Sequence, residues 1–367
     1  MKVAVIGAGV VGASIAWRLC AQGAKVLLID SAQPGEATSN ASFAWVNASS
    51  AEDSAYFALR EHGVREIAAM VDELGSSWLL ATGHLRWDAA GAASAKLSDR
   101  VHALAASSYP AELMTAHEVN STLERQVRFP HPDHPVAYYP TELAIDGRRL
   151  ARQLTALCAT HGVSVLLGRP VEAIGVSKSG VRSITVGSAA HVIDAVVNAA
   201  GPLGGRVARM VGRELRMIEE PGLVARVHCT NVPLSHAMHA PSVEIRPDGP
   251  QQVLIHSRVI DSKLDPTGYG HPGHVDELIS LAVDVLPELQ SSRTVDVRVG
   301  WRPIPWDGFP SVGPVRAVPG YYEAVTHSGV TLCGIIGRLL SMEIVGGESP
   351  HLLAPFRPDR DTRSADV

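Results

Sequence analysis

Gly7, Gly9 and Gly12 are spaced as Gly-x-Gly-x-x-Gly, and Asp30 follows them further along the chain. The chemistry open to such a set is the cradling of a dinucleotide. Gly7 allows a tight turn, Gly9 lets backbone approach a pyrophosphate, and Gly12 lets a helix pack on the preceding strand. The N–H groups of Val10, Val11 and Gly12 would face the phosphates at the positive end of that helix. A carboxylate at Asp30, with Ser31 beside it, would accept from a ribose 2′-OH and repel a 2′-phosphate. These residues need a specific scaffold. Val3-Ala4-Val5-Ile6 reads as a strand buried on both faces, Ala13 to Gln22 as a helix stopped at Gly23, and Lys25 to Ile29 as a second strand. A glycine-rich turn without a ligand is the bland alternative; the strand, helix and acid in sequence favour dinucleotide binding.

The fingerprint alone leaves FAD and NAD open, and three further segments bear on the choice. Thr38 to Asn47 is a run of small residues rich in hydroxyl and amide side chains, Ser39, Asn40 and Ser42 among them with Ala41 between, and embedded aromatics. It could hold a second phosphate and reach a ring system, or be an ordinary polar loop. Ile193 to Val197 reads as an apolar strand running into Asn198-Ala199-Ala200-Gly201, whose small residues imply close approach of backbone or tight packing. Gly300-Trp301-Arg302-Pro303 and Asp307 to Gly313 precede Thr326-His327-Ser328-Gly329-Val330-Thr331-Leu332, the start of a long final helix whose free N–H groups favour negative charge.

The 367 residues suggest two domains, and 46% hydrophobic with 19% charged residues leaves ample core and excludes disorder. With 32 basic and 37 acidic residues the net charge is −5, so there is no electrostatic footprint for nucleic acid or an anionic membrane. Cys20, Cys158, Cys229 and Cys333 are far apart, which excludes a disulfide scaffold or a cysteine zinc site and fits a cytoplasmic protein. Gly329 to Gly347 carries Arg338 and Glu343 and reads as a core helix, so no membrane span is expected. The apolar start resembles a signal peptide, but its glycines at fixed offsets mark mature structure. The tail beyond Arg357 is polar and is expected to fray.

In order, these motifs resemble the D-amino-acid oxidase/glycine oxidase (DAO) superfamily, including D-amino-acid dehydrogenases and sarcosine oxidases. The resemblance covers most of the chain and ends on Phe356-Arg357-Pro358-Asp359-Arg360. It implies an α/β fold with an α+β second domain: a discontinuous Rossmann-type FAD-binding domain over 1–50, 141–215 and 300–367, and an antiparallel-sheet substrate domain over 51–140 and 216–299. In the second domain Phe57 to Leu74 reads as a helix, and 224–228, 242–246, 252–256 and 294–299 alternate like strands. The cofactor implied is FAD, bound by Gly7 to Gly12, Asp30, Ser31, Ser39 to Ser42, backbone at Val171, and Ala199 and Gly201. Gly329, Val330, Thr331 and Leu332 would offer N–H groups to the flavin C2 carbonyl. The early loop lacks a His and 303–316 lacks a Cys, so the resemblance implies non-covalent flavin.

By the same resemblance Arg302 would bind a substrate carboxylate beside the flavin, counting as both a catalytic and a cofactor-lining residue; a planar fork suits that pairing. A structural arginine at a domain seam is the alternative. His327 would line the ring or simply bond backbone at the helix start. His256, with Arg258, would shape the substrate pocket. Lys263 to Pro266 faintly resembles a sarcosine-oxidase segment whose lysine assists oxygen, against a solvated loop lysine. His131/His134 and His236/His239 lack metal-site company, so no metal is expected. The implied reaction is oxidation of the C–N bond of a D-amino acid, glycine, N-methyl amino acid or related amine by hydride transfer to flavin N5, giving an imine. The alternatives are a flavin-binding subunit of a hetero-oligomeric amine or opine dehydrogenase, and a plain NAD(P) dehydrogenase. The oligomeric state is not legible.

Overall fold

Lys2–Ile6 forms a central strand of a six-stranded sheet, buried on both faces as its unbroken apolar run requires. The computed structural model describes residues 1–230, 232–265, 267 and 272–360. The sheet order is Ser311–Pro314, Tyr321–Val325, Ala195–Asn198, Lys2–Ile6, Lys25–Asp30, Ser164–Leu167. All neighbours are parallel except Ser311–Pro314, which returns antiparallel to Tyr321–Val325. One face (Val3, Val5, Leu28) packs on a helical layer in which Val10–Ala21 contacts both Gly147–Thr160 and Gly329–Gly346. The other face (Ala4, Ile6, Leu27, Ile29) packs on an antiparallel meander of Val171–Ser177, Gly180–Val186 and Ala189–Val192. Alternate residues of each strand therefore serve two different cores.

A second, nine-stranded sheet runs Arg293–Trp301, Pro221–His228, Gln252–His256, Glu244–Pro247, Ala237–His239, Leu79–Arg86, Pro135–Ile145, Trp45–Val46, with Glu112–Thr115 also paired to Pro135–Ile145. Its pairings are antiparallel but for one: Ala237–His239 runs parallel to Leu79–Arg86. Trp45–Val46 and the whole of Pro135–Ile145 lie in this sheet, so the chain changes sheet near 45 and 145 rather than at the expected 50 and 140. Met217–Ile218 pairs with Ile304–Pro305, tying the two halves at another seam.

The expected strand at 193–197 starts two residues later, at Ala195: the Ile193 N–H still donates to the Arg182 carbonyl of the meander, and the Asp194 N–H makes the first contact with the central strand, at the Lys2 carbonyl. The helix expected from Phe57 begins at Ser54, capped by the Asp53 carboxylate accepting from Tyr56 N–H at 2.8 Å. The last helix, Gly329–Gly346, is long and apolar enough to cross a membrane by length and composition, yet 67% of it is buried inside the protein. That burial is what a core helix requires. All four cysteines are free. Pro266 and residues 361–367, to which two of the expectations referred, lie outside the described residues.

Candidate active site

Three chain segments leave the carboxyl edge of the six-stranded sheet together: the fingerprint after Ile6, Ala199–Gly201 after Asn198, and Thr326–Gly329 after Val325. This edge is where open α/β sheets bind ligands. Gly7 has φ +107°, and a Cβ on it would lie 2.3 Å from the Ala199 carbonyl oxygen. A Cβ on Gly12 would lie 1.9 Å from the Gly7 carbonyl oxygen. These two glycines thus pull the first helix onto the strand end. Gly9 is different, since its Cβ would meet only the Ser39 hydroxyl, at 3.2 Å. Space on that side is open to a ligand.

A groove of about 80 Å³ lies there, lined by Gly9, Val10, Val11, Ser39, Ser42, Ala199, Gly201, Gly329, Val330 and His327. The N-cap residues of the first and last helices, Gly9 and Ser328, give no side-chain cap, which leaves backbone donors at both helix starts. The Val10 N–H is held by Ser39 Oγ at 3.2 Å. Other candidates are placed elsewhere. Leu332 is fully buried and its N–H donates to the Ser328 carbonyl at 2.9 Å, so it faces the core rather than the groove. Asn40 is turned away, its carbonyl and Oδ1 accepting from Arg226 at 3.1 and 3.2 Å, with its Nδ2 buried and unpaired. The Asp30 carboxylate accepts from Ala8 N–H at 2.6 Å and Ala32 N–H at 2.8 Å, and burial raises its pKa against those bonds. Ser31 is exposed beside it. Val171 opens the meander just after Arg169, whose N–H donates to the Asp30 carbonyl.

The groove opens into a cavity of about 400 Å³ that shares Thr38, Ser42, Pro303, His327 and Val330 with it. Ala41 closes against Gly300, where a Cβ would meet the Ala41 Cβ at 2.6 Å. Trp45 and Asn47 are held from behind. Buried Glu142 accepts from Trp45 Nε1 at 2.8 Å, Tyr109 OH at 2.7 Å and the N–H groups of Ala48 and Ser49, while burial raises its pKa. Arg60, on the buried side of the Ser54–Leu74 helix, donates to the Asn47 carbonyl at 2.9 Å and to its Oδ1. Thr331 Oγ1 accepts from Asn47 N–H at 3.2 Å, joining the loop to the last helix.

The opposite wall is a ladder of ionisable groups on neighbouring strands of the large sheet. His239 pairs in register with Glu244, and Glu244 with His256. Their side chains follow: His84 Nε2 to His239 Nδ1 at 2.7 Å, His239 Nε2 to Glu244 at 3.2 Å, His256 Nδ1 to Glu244 at 2.8 Å, and His256 Nε2 to Asp261 at 2.8 Å. Burial alone would discharge His256, but Glu244 and Asp261 outweigh it and raise its pKa to about 9. Burial likewise opposes ionisation of Glu244, and His239 with His256 hold its pKa well below the usual range. His84, wholly buried beside His239, is held well below the usual histidine value by burial first.

Arg302 reaches this wall, but its guanidinium is not free. One terminal nitrogen pairs with Glu220, the other with Asp261, and the latter lies 3.1 Å from His256 Nε2. The pairing is seated in backbone. A Cβ on Gly222 would lie 3.0 Å from Arg302 and 3.3 Å from Asp261, and the Leu223 N–H donates to Asp261 at 2.8 Å. His327 is exposed where the groove and the cavity meet, and desolvation by their walls, then Arg302, Arg258 and Arg60, lower its pKa to about 4. It is therefore a neutral imidazole at neutral pH. Lys263 pairs with Glu277 and lines neither space. His236 bonds Glu124 at 2.8 Å, and among the described residues no three His, Cys, Asp or Glu side chains are arranged so that they could hold a metal ion.

The charge on His256 predicts a pH dependence. Its folded pKa lies above its ordinary value of 6.5, so the stability it contributes is complete below pH 6.5 and is lost as pH rises through about 9. In chemical denaturation the stability gap between wild type and His256→Gln should therefore narrow between pH 6.5 and 9.5. A gap independent of pH would contradict a charged His256.

The sequence matches the family model for DAO, FAD-dependent oxidoreductases, over residues 2–342. The chain belongs to that family. The DAO protein is thus a FAD-dependent oxidoreductase, and the residues fit the cofactor: an open cradle at Gly9 that a Cβ would fill, uncapped helix starts, and a groove continuous with a larger cavity. It is 24% identical to glycine oxidase of Pseudomonas putida over 98% of both chains. It is 27% identical to one of the subunits of opine oxidase from Agrobacterium tumefaciens, covering 97% of this chain and 96% of that one. The fold is that of the crystal structure of glycine oxidase from Geobacillus kaustophilus, with a TM-score of 0.87 at 22% identity over 98% and 99% of the two chains.

Sequence reasoning missed Arg60, Glu142, Glu244 and Asp261. Arg60 left a signal, an arginine in phase with Leu59, Val64 and Ile67 on the apolar face of its helix. Glu244 and His256 left another, as two ionisable residues on strands that an antiparallel hairpin would bring face to face.

Proposed function

We propose that this protein oxidises the C–N bond of an amino acid or related amine, of D-amino acid, glycine or N-methyl amino acid type, to an imine that water hydrolyses. The observation that carries this reading is the continuity of the dinucleotide groove with an arginine- and histidine-lined cavity across the start of the last helix. FAD bound there supplies the acceptor for a hydride at N5. The protein's own residues supply position and charge. The first helix and Ser39 hold the pyrophosphate side, and the start of the last helix places backbone dipoles where negative charge develops. Neutral His327 lies where groove and cavity meet and can accept a hydrogen bond from a substrate amine without repelling an ammonium. A cytoplasmic site of action accords with the four free cysteines. Incubation with a panel of D-amino acids, glycine, N-methyl amino acids and simple amines tests the reading. The expected products are a carbonyl compound and released ammonia or amine; no carbonyl from any member of the panel would overturn it.

FAD is held without a covalent bond on this reading. The Thr38–Asn47 loop has no His, residues 303–316 have no Cys, and Cys333 is fully buried with its thiol directed to the Val330 carbonyl. Acid precipitation should leave the yellow colour in the supernatant, whereas a coloured pellet would contradict dissociable flavin. A plain nicotinamide dehydrogenase is set aside by family membership. Likeness to one chain of an opine oxidase favours one second reading, a catalytic subunit of a larger assembly acting on an opine-type amine. Co-purification of a second chain that raises turnover would support it.

A further inference from the structure

Four arginines line the cavity: Arg60, Arg86, Arg258 and Arg302. Three already have partners. Arg302 is neutralised by Glu220 and Asp261, on a seat shaped by Gly222 and the Leu223 N–H. Arg86 bonds both oxygens of Asp88 at 3.3 Å. Arg60 is buried behind the Asn47 loop and donates to its carbonyl and side chain. The side chain of Arg258 has no hydrogen bond or ion pair among the described residues and is exposed to the cavity. Its backbone is fixed nonetheless. Ser257 before it is buried, its hydroxyl donating to the Ser242 carbonyl at 2.6 Å and accepting from Val259 N–H at 3.1 Å.

A third acid at Arg302 would have to displace Glu220 or Asp261, while sitting near Glu244 and both of those carboxylates. An acid at Arg258 meets an unpaired guanidinium, whose planar fork suits bidentate pairing. We propose that Arg258 receives the carboxylate of the substrate, and that Arg302 is a positioning residue whose charge is satisfied within the cavity wall. This rests on the amino-acid reading above. It shifts the expected anchor from the segment before the last helix to the end of the Gln252–His256 strand. It also implies that an amine lacking the acid group is discriminated against at Arg258.

The test uses the FAD-loaded wild type and its Arg258→Gln and Arg258→Lys variants, with two readouts. In the first, acetate is titrated while the flavin spectrum is followed, so that no turnover is needed. In the second, KM and kcat are compared for an amino-acid substrate and for its decarboxylated amine. Arg258→Gln should weaken acetate binding and raise KM for the amino acid by about ten- to a hundredfold, the scale of a lost charged hydrogen bond, with kcat changed far less. The preference over the decarboxylated amine should disappear, and Arg258→Lys should recover part of it. Unchanged acetate affinity and KM in Arg258→Gln, or a wild type that neither binds acetate nor prefers the amino acid, would overturn the assignment. A wild type that binds acetate through Arg258 but oxidises no amino acid would sink the functional reading and leave the carboxylate site standing.

Discussion

Gly12→Ala should yield protein without FAD and with its folded state strongly destabilised. The added methyl would lie 1.9 Å from the Gly7 carbonyl oxygen and 3.2 Å from the Ala199 Cβ, so two elements of backbone would have to separate. Such overpacking costs about 1–3 kcal/mol where a side chain can yield, and more where only backbone can. The separation would open the turn that presents Gly9 and the first N–H groups to the cofactor. Gly9→Ala makes the informative contrast. Its methyl meets one hydroxyl, Ser39 Oγ at 3.2 Å, and otherwise occupies the groove. That variant should fold nearly as well as wild type and lose FAD affinity. Flavin absorbance and thermal denaturation on the two purified variants separate the outcomes. Full flavin content in Gly12→Ala would contradict the groove as the cofactor site.

Asp261→Ala carries the second large effect. The Asp261 carboxylate, 8% exposed as a residue, accepts from the Leu223 N–H and pairs with both His256 and Arg302. Its removal leaves His256 with Glu244 alone, Arg302 with partly exposed Glu220 alone, and a backbone N–H unpaired. Breaking a buried ion pair from one side costs about 3–5 kcal/mol, because the remaining charge stays desolvated. Denaturant titration should register a loss of that order. Asp261→Asn, which keeps an acceptor for Leu223, should lose less. A loss under about 1 kcal/mol in Asp261→Ala would mean that the His256–Asp261–Arg302 wall contributes little to the fold, contrary to its burial.

The first thirty residues were legible because each carries a local rule: a two-faced apolar run, glycines at steric contacts, and an acid at the strand tip. The strands at 224–228 and 252–256 were legible from their alternation. Leu79–Arg86 and Pro135–Ile145 were not. Gly83, at φ +89°, and register shifts along their pairing break the period, and Pro140 interrupts the second strand. The expected boundary at 140 therefore falls within the strand Pro135–Ile145. Within the site, Gly9, Ser39, Ser42, Ala199, Gly201, Val330 and His327 meet in one groove as their motifs imply. The environment of Arg302 could not be read from its motif. Its partners, Glu220 and Asp261, come from other segments of the chain and are assembled only by the strand order Arg293–Trp301, Pro221–His228, Gln252–His256. The His239–Glu244–His256 ladder depends on register across three strands, which spacing does not disclose.

The most direct measurement is anaerobic stopped-flow of the FAD-loaded protein against the amino-acid and amine panel, with the best substrate repeated in Cα-deuterated form. The account predicts that at least one amino acid bleaches the yellow flavin in a single turnover, and that deuteration at Cα slows the bleaching severalfold. Flavin that stays oxidised with every compound, or bleaches at a rate indifferent to the Cα isotope in saturating substrate, would contradict hydride abstraction from carbon in this cavity.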